Sequence, residues 1–70
     1  MNNTYTGYQA RLIGEYDDLK GKIEKLVPFL QSETFQTLDK DEQTDLKEQL
    51  TYMQNYLQIL YRRLNRKGLI

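Results

Sequence analysis

The 70-residue sequence contains no cysteine, no histidine and no tryptophan. Without cysteine no disulfide can stabilise the chain, and without cysteine and histidine the usual ligands of a structural zinc ion are missing. A chain of this length buries only about 60% of the surface that its unfolded form exposes. Its stability must therefore come from a very regular helical core or from self-association.

Long apolar runs are missing as well. No run approaches the ~20 residues that span a bilayer, and no secretory leader precedes the first predicted helix. We therefore expect no contact with a membrane, and the absence of cysteine fits a reducing cytoplasm.

Neither sign of charge is in excess, since 10 Lys and Arg residues balance 10 Asp and Glu residues. This balance argues against DNA or RNA binding through a broad basic face. The charges are nevertheless separated along the chain. Six acids and two lysines lie between Glu33 and Glu48, whereas four bases and no acid lie between Arg62 and Lys67. An anionic ligand should therefore be small and held by a local cluster of bases.

Apolar residues recur at steps of three and four in two segments, which is the pattern of a helix with one apolar face. The first row comprises Tyr5, Tyr8, Leu12, Tyr16, Leu19, Ile23, Leu26 and Leu30, and the second Leu46, Leu50, Met53, Leu57, Leu60 and Leu64. We predict an all-α fold in which a short helical corner joins two long antiparallel amphipathic helices, and in which the subunits form a symmetric oligomer.

Local signals set the predicted boundaries within a single domain, residues 1–70. Residues 1–7 form an N-terminal arm, 8–30 the first helix with a bend near Pro28, 33–38 a short helical turn, and 40–67 the last helix. Ser32 and Asp39 are the expected N-caps. Gly68 is the expected residue with left-handed backbone after the last helix.

A second apolar row on the last helix lies beside the first and comprises Tyr52, Tyr56, Ile59 and Arg63. One hairpin has a single seam between its helices, so nothing in the chain is left to cover this row. The row therefore predicts a homo-oligomer. The alternative is that half-exposed tyrosines simply face water.

Groups suited to catalysis are scarce. Asp17 and Asp18 are adjacent rather than facing each other, and a di-metal helical bundle would need histidine. No pairing of a nucleophile with a base stands out among the Ser, Thr, Lys and Tyr residues. We predict no catalytic residue, no metal site and no cofactor, and thus no enzyme.

Antiparallel helices would bring the basic end of the last helix toward Tyr5, Tyr8 and Arg11. Aromatic rings beside cations suit a nucleotide, because bases stack on rings and phosphates accept charge-assisted hydrogen bonds. The same residues could instead complement the helix dipole and pack a helix end.

The glycines Gly7, Gly14 and Gly21 are spaced seven residues apart. They either allow the close approach of a helix or ligand or have no role, although each costs ~1 kcal/mol of helix stability relative to alanine.

Two segments, "YQARLIGEYDDLKGKIEKLVPFL" and "LKEQLTYMQNYLQILYRRL", together with Phe35 and Leu38 between them, resemble a family of very small phage proteins. The family pattern is Tyr-x-x-Arg-aliphatic-x-x-Glu, Leu-x-x-Lys-Ile/Leu-x-x-Leu, Phe-x-x-Leu and Gln-x-x-x-Met-x-x-Tyr-x-x-x-Leu-x-x-Arg, in that order. The resemblance covers residues 8–64. Members of the family include the anti-CBASS sponges, which sequester the cyclic oligonucleotides made during bacterial immune signalling.

The resemblance implies a hexamer of compact helical subunits that acts in the cytoplasm of the infected bacterial host. It implies cyclic dinucleotides held between protomers and left uncleaved, with cyclic trinucleotides at separate sites in some members. It makes Tyr8 the residue that stacks on a base and Lys22 or Arg11 the residue that binds a phosphate, with Lys25 as the nearest alternative cation.

The candidate nucleotide-binding residues are therefore Tyr8, Arg11, Lys22, Lys25, Tyr5 and Arg63. Lys22 lies about 21 Å beyond Tyr8 along the helix. One copy of the helix cannot close a small pocket with both residues, whereas two copies crossing antiparallel could.

Other ligands and partners stay open. Gly14 and Gly21 replace better helix formers in the family pattern, and the changed pocket floor could suit a cyclised ADP-ribose product of TIR-domain enzymes. From a different functional class, the chain could be a helical adaptor or structural phage protein that docks a host or phage protein through its exposed tyrosine row.

Overall fold

The computed structural model describes residues 7–70 and is all-α, as the sequence predicts. Helix α1 runs from Gly7 to Leu30, the single-turn helix α2 from Glu33 to Gln36, and helix α3 from Lys40 to Arg66. No strand occurs in these residues. Gly7 begins α1 rather than ending an arm, and the rest of the expected arm lies outside the described residues. None of the described helices is long and apolar enough to cross a membrane.

The two long helices pack against each other in antiparallel directions. Tyr8 at the start of α1 contacts Arg63 near the end of α3, and the rings of Tyr16 and Tyr61 lie 6.4 Å apart. The resulting hairpin measures 48 × 24 × 15 Å, so it is long and thin. A body only two helices across leaves much of each helix surface in contact with solvent.

The tightest part of the core lies near the open end of the hairpin, where the start of α1 meets the end of α3. Leu12, Leu60 and Leu64 form a buried cluster, and Leu60 has no exposed surface. The half-buried side chains of Ile13, Tyr16, Leu19 and Leu69 pack around them. Each fully buried leucine contributes about 1.5–3 kcal/mol. This cluster fixes the register between α1 and α3 next to Tyr8.

The corner is fixed by caps and by one buried ring. Ser32 Oγ accepts the N–H of Phe35 at 3.1 Å, and the Asp39 carboxylate accepts the N–H of Glu42 at 2.8 Å. The Gln43 amide donates to the carbonyl oxygens of Phe35 and Leu38. The Phe35 ring is buried below these bonds, so the chain reverses without leaving its polar groups unpaired.

Pro28 does not end the first helix, which continues to Leu30. Pro28 has no N–H to donate to the carbonyl of Glu24, four residues before it, and two residues of the helix follow Pro28. The next free amides tighten the last turn, since the N–H of Gln31 bonds to the Pro28 carbonyl and that of Ser32 to the Phe29 carbonyl. These two bonds close the C-terminal end of α1.

Truncating the central leucine tests this account of the core. We expect Leu60→Ala to lower the free energy of unfolding by roughly 2–5 kcal/mol, because it removes buried methyl groups and leaves a cavity. Urea unfolding followed by circular dichroism measures the change. Gln54→Ala, at an exposed site of the same helix, is the control and should change it by less than about 0.5 kcal/mol. Equal losses in the two variants would contradict the assignment of the core.

Candidate functional site

Tyr8 is the centre of an aromatic and cationic cluster that spans both long helices. Arg63 Nη2 donates a hydrogen bond of 2.8 Å to the Tyr8 hydroxyl. Lys67 Nζ lies 5.3 Å from the centre of the Tyr8 ring, within the range of a cation–π contact. The ring remains 47% exposed. Tyr8 thus keeps ring surface free for stacking while both cations stay close to it.

The two cations change the acidity of this phenol. The hydrogen bond from Arg63 is the main cause of a lowered Tyr8 pKa, and the positive charges of Arg63 and Lys67 lower it further. These effects favour the phenolate over the phenol. The cluster therefore has a local positive potential in a chain whose net charge is zero.

Arg11 adds a third cation near this end of the hairpin. Its guanidinium folds back along the first turn of α1, where Nη1 lies 3.4 Å from the position that a Cβ on Gly7 would take. The cation therefore lies over the residue before Tyr8. Tyr5, the remaining candidate near this end, lies outside the described residues.

A separate groove of about 520 Å³ lies along the same flank of α1. It is lined by Arg11, Gly14, Glu15, Asp18, Leu19 and Lys22 from α1 and by Tyr56 from α3. Arg11, Asp18 and Lys22 share one helix face because they are seven and four residues apart. The Tyr56 hydroxyl donates to the Glu15 carboxylate, which closes one side of the groove.

The structure thus divides the candidate residues into two groups. Tyr8 and Arg63 are in contact, and Arg11 and Lys22 line the groove. Tyr8 does not line the groove with Lys22. Lys25 is exposed one turn beyond Lys22. A single subunit therefore presents two candidate half-sites, the Tyr8 cluster and the groove, rather than one closed pocket.

The glycines on this flank are not required by packing within the chain. A Cβ built on Gly14 or Gly21 would meet nothing within 4 Å among the described residues. Gly14 nevertheless lines the groove, where the missing side chain leaves backbone open to a ligand or another helix.

The exposed row on α3 borders the groove through Tyr56. Tyr52 is 68% exposed, Ile59 is 44% exposed, and no described residue covers them. Toward the start of α3, an apolar depression is lined by Asp45 and Glu48 together with Tyr52 and Tyr56. The two carboxylates make that depression a poor site for an anion.

Comparison with known proteins identifies the family. The sequence matches the Sequestin family over residues 6–66. The chain belongs to the Sequestin family. It is similar to a protein of Enterobacteria phage T4 described as "Uncharacterized 7.5 kDa protein in denB-rIIB intergenic region", with 42% identity over 57 residues, 81% of this chain and 89% of that protein. No solved structure matches the chain.

Two residues of this Sequestin that border the half-sites were not among the sequence-based candidates. Lys67 reaches the Tyr8 ring, and Tyr56 closes one side of the groove. The sequence offered a signal for each, since Lys67 belongs to the acid-free run and Tyr56 to the exposed row. Neither signal specified which residue on the other helix Lys67 or Tyr56 would contact.

Metal ligation has no support in the described part of this Sequestin. No three Asp or Glu side chains come close enough there to hold a metal ion. The short acidic runs instead cap or flank helices, as Asp39 does at the start of α3.

The Arg63 contact can be tested through the acidity of Tyr8. The pKa of Tyr8 in the folded protein lies below the ordinary value of 10.0. The stability that this shift contributes is therefore fully present above the ordinary pKa, and it is lost as the pH falls through the lowered pKa. We expect Arg63→Met to raise the Tyr8 pKa toward 10.0, as measured by NMR titration of labelled tyrosine rings.

Two matched variants complete this test. Tyr8→Phe assigns the Tyr8 resonance among the six tyrosines. Arg66→Met removes a charge from the same turn without being one of the causes of the Tyr8 shift. A rise of the Tyr8 pKa as large in Arg66→Met as in Arg63→Met would show a general field and not a specific hydrogen bond.

Proposed function

We propose that this Sequestin is a non-catalytic phage protein that sequesters a cyclic oligonucleotide immune messenger in the cytoplasm of the infected bacterium. The ligand class is a cyclic dinucleotide, with a cyclic trinucleotide as the second candidate. Removing this messenger from solution would block CBASS-type antiphage signalling. The family name denotes sequestration, and the similar protein of phage T4 supports a phage origin.

The observation that carries the proposal is the convergence of Arg63 and Lys67 on the exposed ring of Tyr8. A nucleobase needs an aromatic face for stacking, and its phosphate needs nearby donors with positive charge. Tyr8 and the two cations supply both at one place. The groove beside them adds Arg11 and Lys22, which suits a ligand with more than one phosphate.

Self-assembly would bring the two half-sites of different subunits together. A cyclic dinucleotide has two bases and two phosphates related by an approximate two-fold axis. Tyr8 of one copy and Lys22 of another could enclose such a ligand if two subunits crossed antiparallel, because a two-fold interface presents each half-site twice. The exposed row of Tyr52, Tyr56 and Ile59 supplies apolar surface for the contact. We propose a symmetric homo-oligomer, with a hexamer as the specific hypothesis.

Binding without cleavage is the corresponding chemical proposal. Hydrolysis of a phosphodiester needs a base or a metal to activate water. The chain has no histidine, and no three Asp or Glu side chains of the described residues come close enough to hold a metal ion. The ligand should therefore be recovered intact after the protein is denatured. Linear product formed in proportion to protein and time would contradict sequestration.

Calorimetry against a panel of cyclic dinucleotides, cyclic trinucleotides and cyclised ADP-ribose tests the ligand class. We expect tight binding of at least one cyclic oligonucleotide. Tyr8→Ala should weaken it by about 5- to 150-fold, because a stacked base is worth ~1–3 kcal/mol. Lys22→Ala should weaken it by about tenfold or more, since a partly buried phosphate would lose its partner.

The chain offers matched controls for both variants. Tyr61 is 45% exposed, close to the value for Tyr8, but packs on Tyr16. Lys20 is exposed two residues before Lys22 and points away from the groove face. Tyr61→Ala and Lys20→Ala should bind normally. No binding across the whole panel would leave the alternative of a helical adaptor that docks a protein through the tyrosine row.

Assembly has its own test. Light scattering at micromolar concentration should show more than one subunit, because the row on α3 is uncovered in the single chain. Ile59→Lys places a charge in that row and should shift the population toward monomer. Gln58→Lys adds the same charge to an adjacent exposed site and should not. A strict monomer with a thermal transition independent of dilution would contradict both the oligomer and the shared pocket.

A further inference from the structure

One stripe along α3 has acids at one end, apolar side chains in the middle and bases at the other end. Its seven members lie within an arc of about 80° around the helix axis, at about 100° per residue, and six of the seven are exposed. In chain order the members of this α3 stripe are Asp45, Glu48, Tyr52, Tyr56, Ile59, Arg63 and Arg66.

The α3 stripe is complementary to itself when a second copy runs in the opposite direction. The pairs that are equidistant from a midpoint between residues 55 and 56 are Asp45 with Arg66, Glu48 with Arg63, and Tyr52 with Ile59. Two antiparallel copies would therefore place acid against base at both ends and apolar side chains together in the middle. A contact about a two-fold axis requires this kind of surface, because each residue meets its counterpart twice.

The spacing of the α3 stripe suits a contact along its whole length. Successive intervals of seven residues separate Asp45, Tyr52, Ile59 and Arg66, and a seven-residue repeat keeps two helices facing each other as they wind. The stripe is about 32 Å long. Parallel copies would place acid against acid and base against base, which is destabilising. The charges therefore select the antiparallel direction.

The position of the two half-sites independently favours the same midpoint. The hydroxyl of Tyr56 donates to the carboxylate of Glu15, so the midpoint of the stripe lies level with Glu15 on α1. Glu15 is seven residues from Tyr8 and seven residues from Lys22. A two-fold axis at this level would therefore bring Lys22 of the second copy level with Tyr8, whereas the two residues of one chain are about 21 Å apart along α1.

We propose that the α3 stripe is a two-fold interface with a second copy of this chain, in which Asp45 pairs with Arg66. The inference deepens the proposed function, because it assigns the surface, direction and register of one contact in the proposed homo-oligomer. The apolar middle supplies the attraction, since Tyr52 is 68% exposed and Ile59 is 44% exposed in the single chain. The ion pairs at both ends fix the register and exclude the parallel arrangement.

Cysteine cross-linking tests the register, and the chain has no cysteine of its own to interfere. Chains with Asp45→Cys and chains with Arg66→Cys are mixed and oxidised, and the covalent dimers are identified by mass spectrometry. We expect the mixed dimer to dominate, because the two positions face each other and each lies about 32 Å from its own counterpart. Dimers of Asp45→Cys with itself that are as abundant as the mixed dimer would overturn the proposal.

Charge exchange tests the ion pairs. Asp45→Arg and Arg66→Asp should each weaken self-association by about tenfold in sedimentation equilibrium, because attraction becomes repulsion at both ends. An equimolar mixture of the two variants should recover the wild-type association to within about twofold, since each variant supplies the charge that the other needs. Arg62→Asp is the matched control and should change association less than about twofold, because Arg62 lines a depression away from the stripe with Tyr16 and Tyr61.

The outcomes separate this interface from the proposed function. Equal losses in Arg66→Asp and Arg62→Asp, or a mixture that does not recover, would overturn the ion pairs. Calorimetry with a cyclic dinucleotide tests sequestration by itself. If the mixed cross-link forms and no cyclic oligonucleotide binds, the interface stands and sequestration is wrong. If the cyclic dinucleotide binds and the mixed cross-link does not form, sequestration stands and this interface is wrong.

Discussion

The packing of Leu12 against Leu60 and Leu64 is the contact on which the rest of the molecule depends. The chain has one seam between two helices, and this cluster is its most buried part. Side chains that interlock at full packing density allow one register only. That register sets Tyr8, one turn before Leu12, opposite Arg63 and Lys67. The candidate site is therefore a direct consequence of how three leucines pack.

A single seam also explains why so much apolar surface stays exposed. Two helices can bury only the faces they turn toward each other, and a domain of this size has no third layer to cover the rest. Tyr52 and Ile59 remain at the surface for this reason. Tyrosine tolerates such a position because its ring is apolar and its hydroxyl remains hydrated. The proposed homo-oligomer would form through the same surface.

The distribution of charge matters more here than its sum. The acids are concentrated around the corner and the middle of the hairpin, whereas residues 7–14 and the end of α3, both free of acids, meet at its open end. A net charge of zero thus conceals an end with five cations. At moderate salt, interactions between exposed charges are largely screened beyond about 10 Å. An anion near the open end would therefore respond to the cations at that end more than to the net charge of the chain. The small phosphorylated ligand proposed above would suit this arrangement.

Local patterns in the sequence were enough to determine the helices, their caps and the antiparallel hairpin. The spacing of apolar residues gave the two long helices, and Ser32, Asp39 and Gly68 act at their ends through neighbours only a few positions away. The bend predicted near Pro28 stays a prediction, and α1 continues past this residue to Leu30. Charge separation and the aromatic residues predicted either a nucleotide site at the basic end or cations that complement the helix dipole, and the nucleotide site stays a prediction.

Only the tertiary structure decided which side chains meet across the seam. Arg63 bonds to a tyrosine 55 positions away, and Lys67 covers the same ring. Sequence spacing specifies the face of a residue on its own helix, but the partner on the other helix depends on register and on rotamers. The division of Tyr8 and Lys22 between two half-sites has the same origin. A contact between distant residues is fixed by the packing of the core, which no local pattern contains.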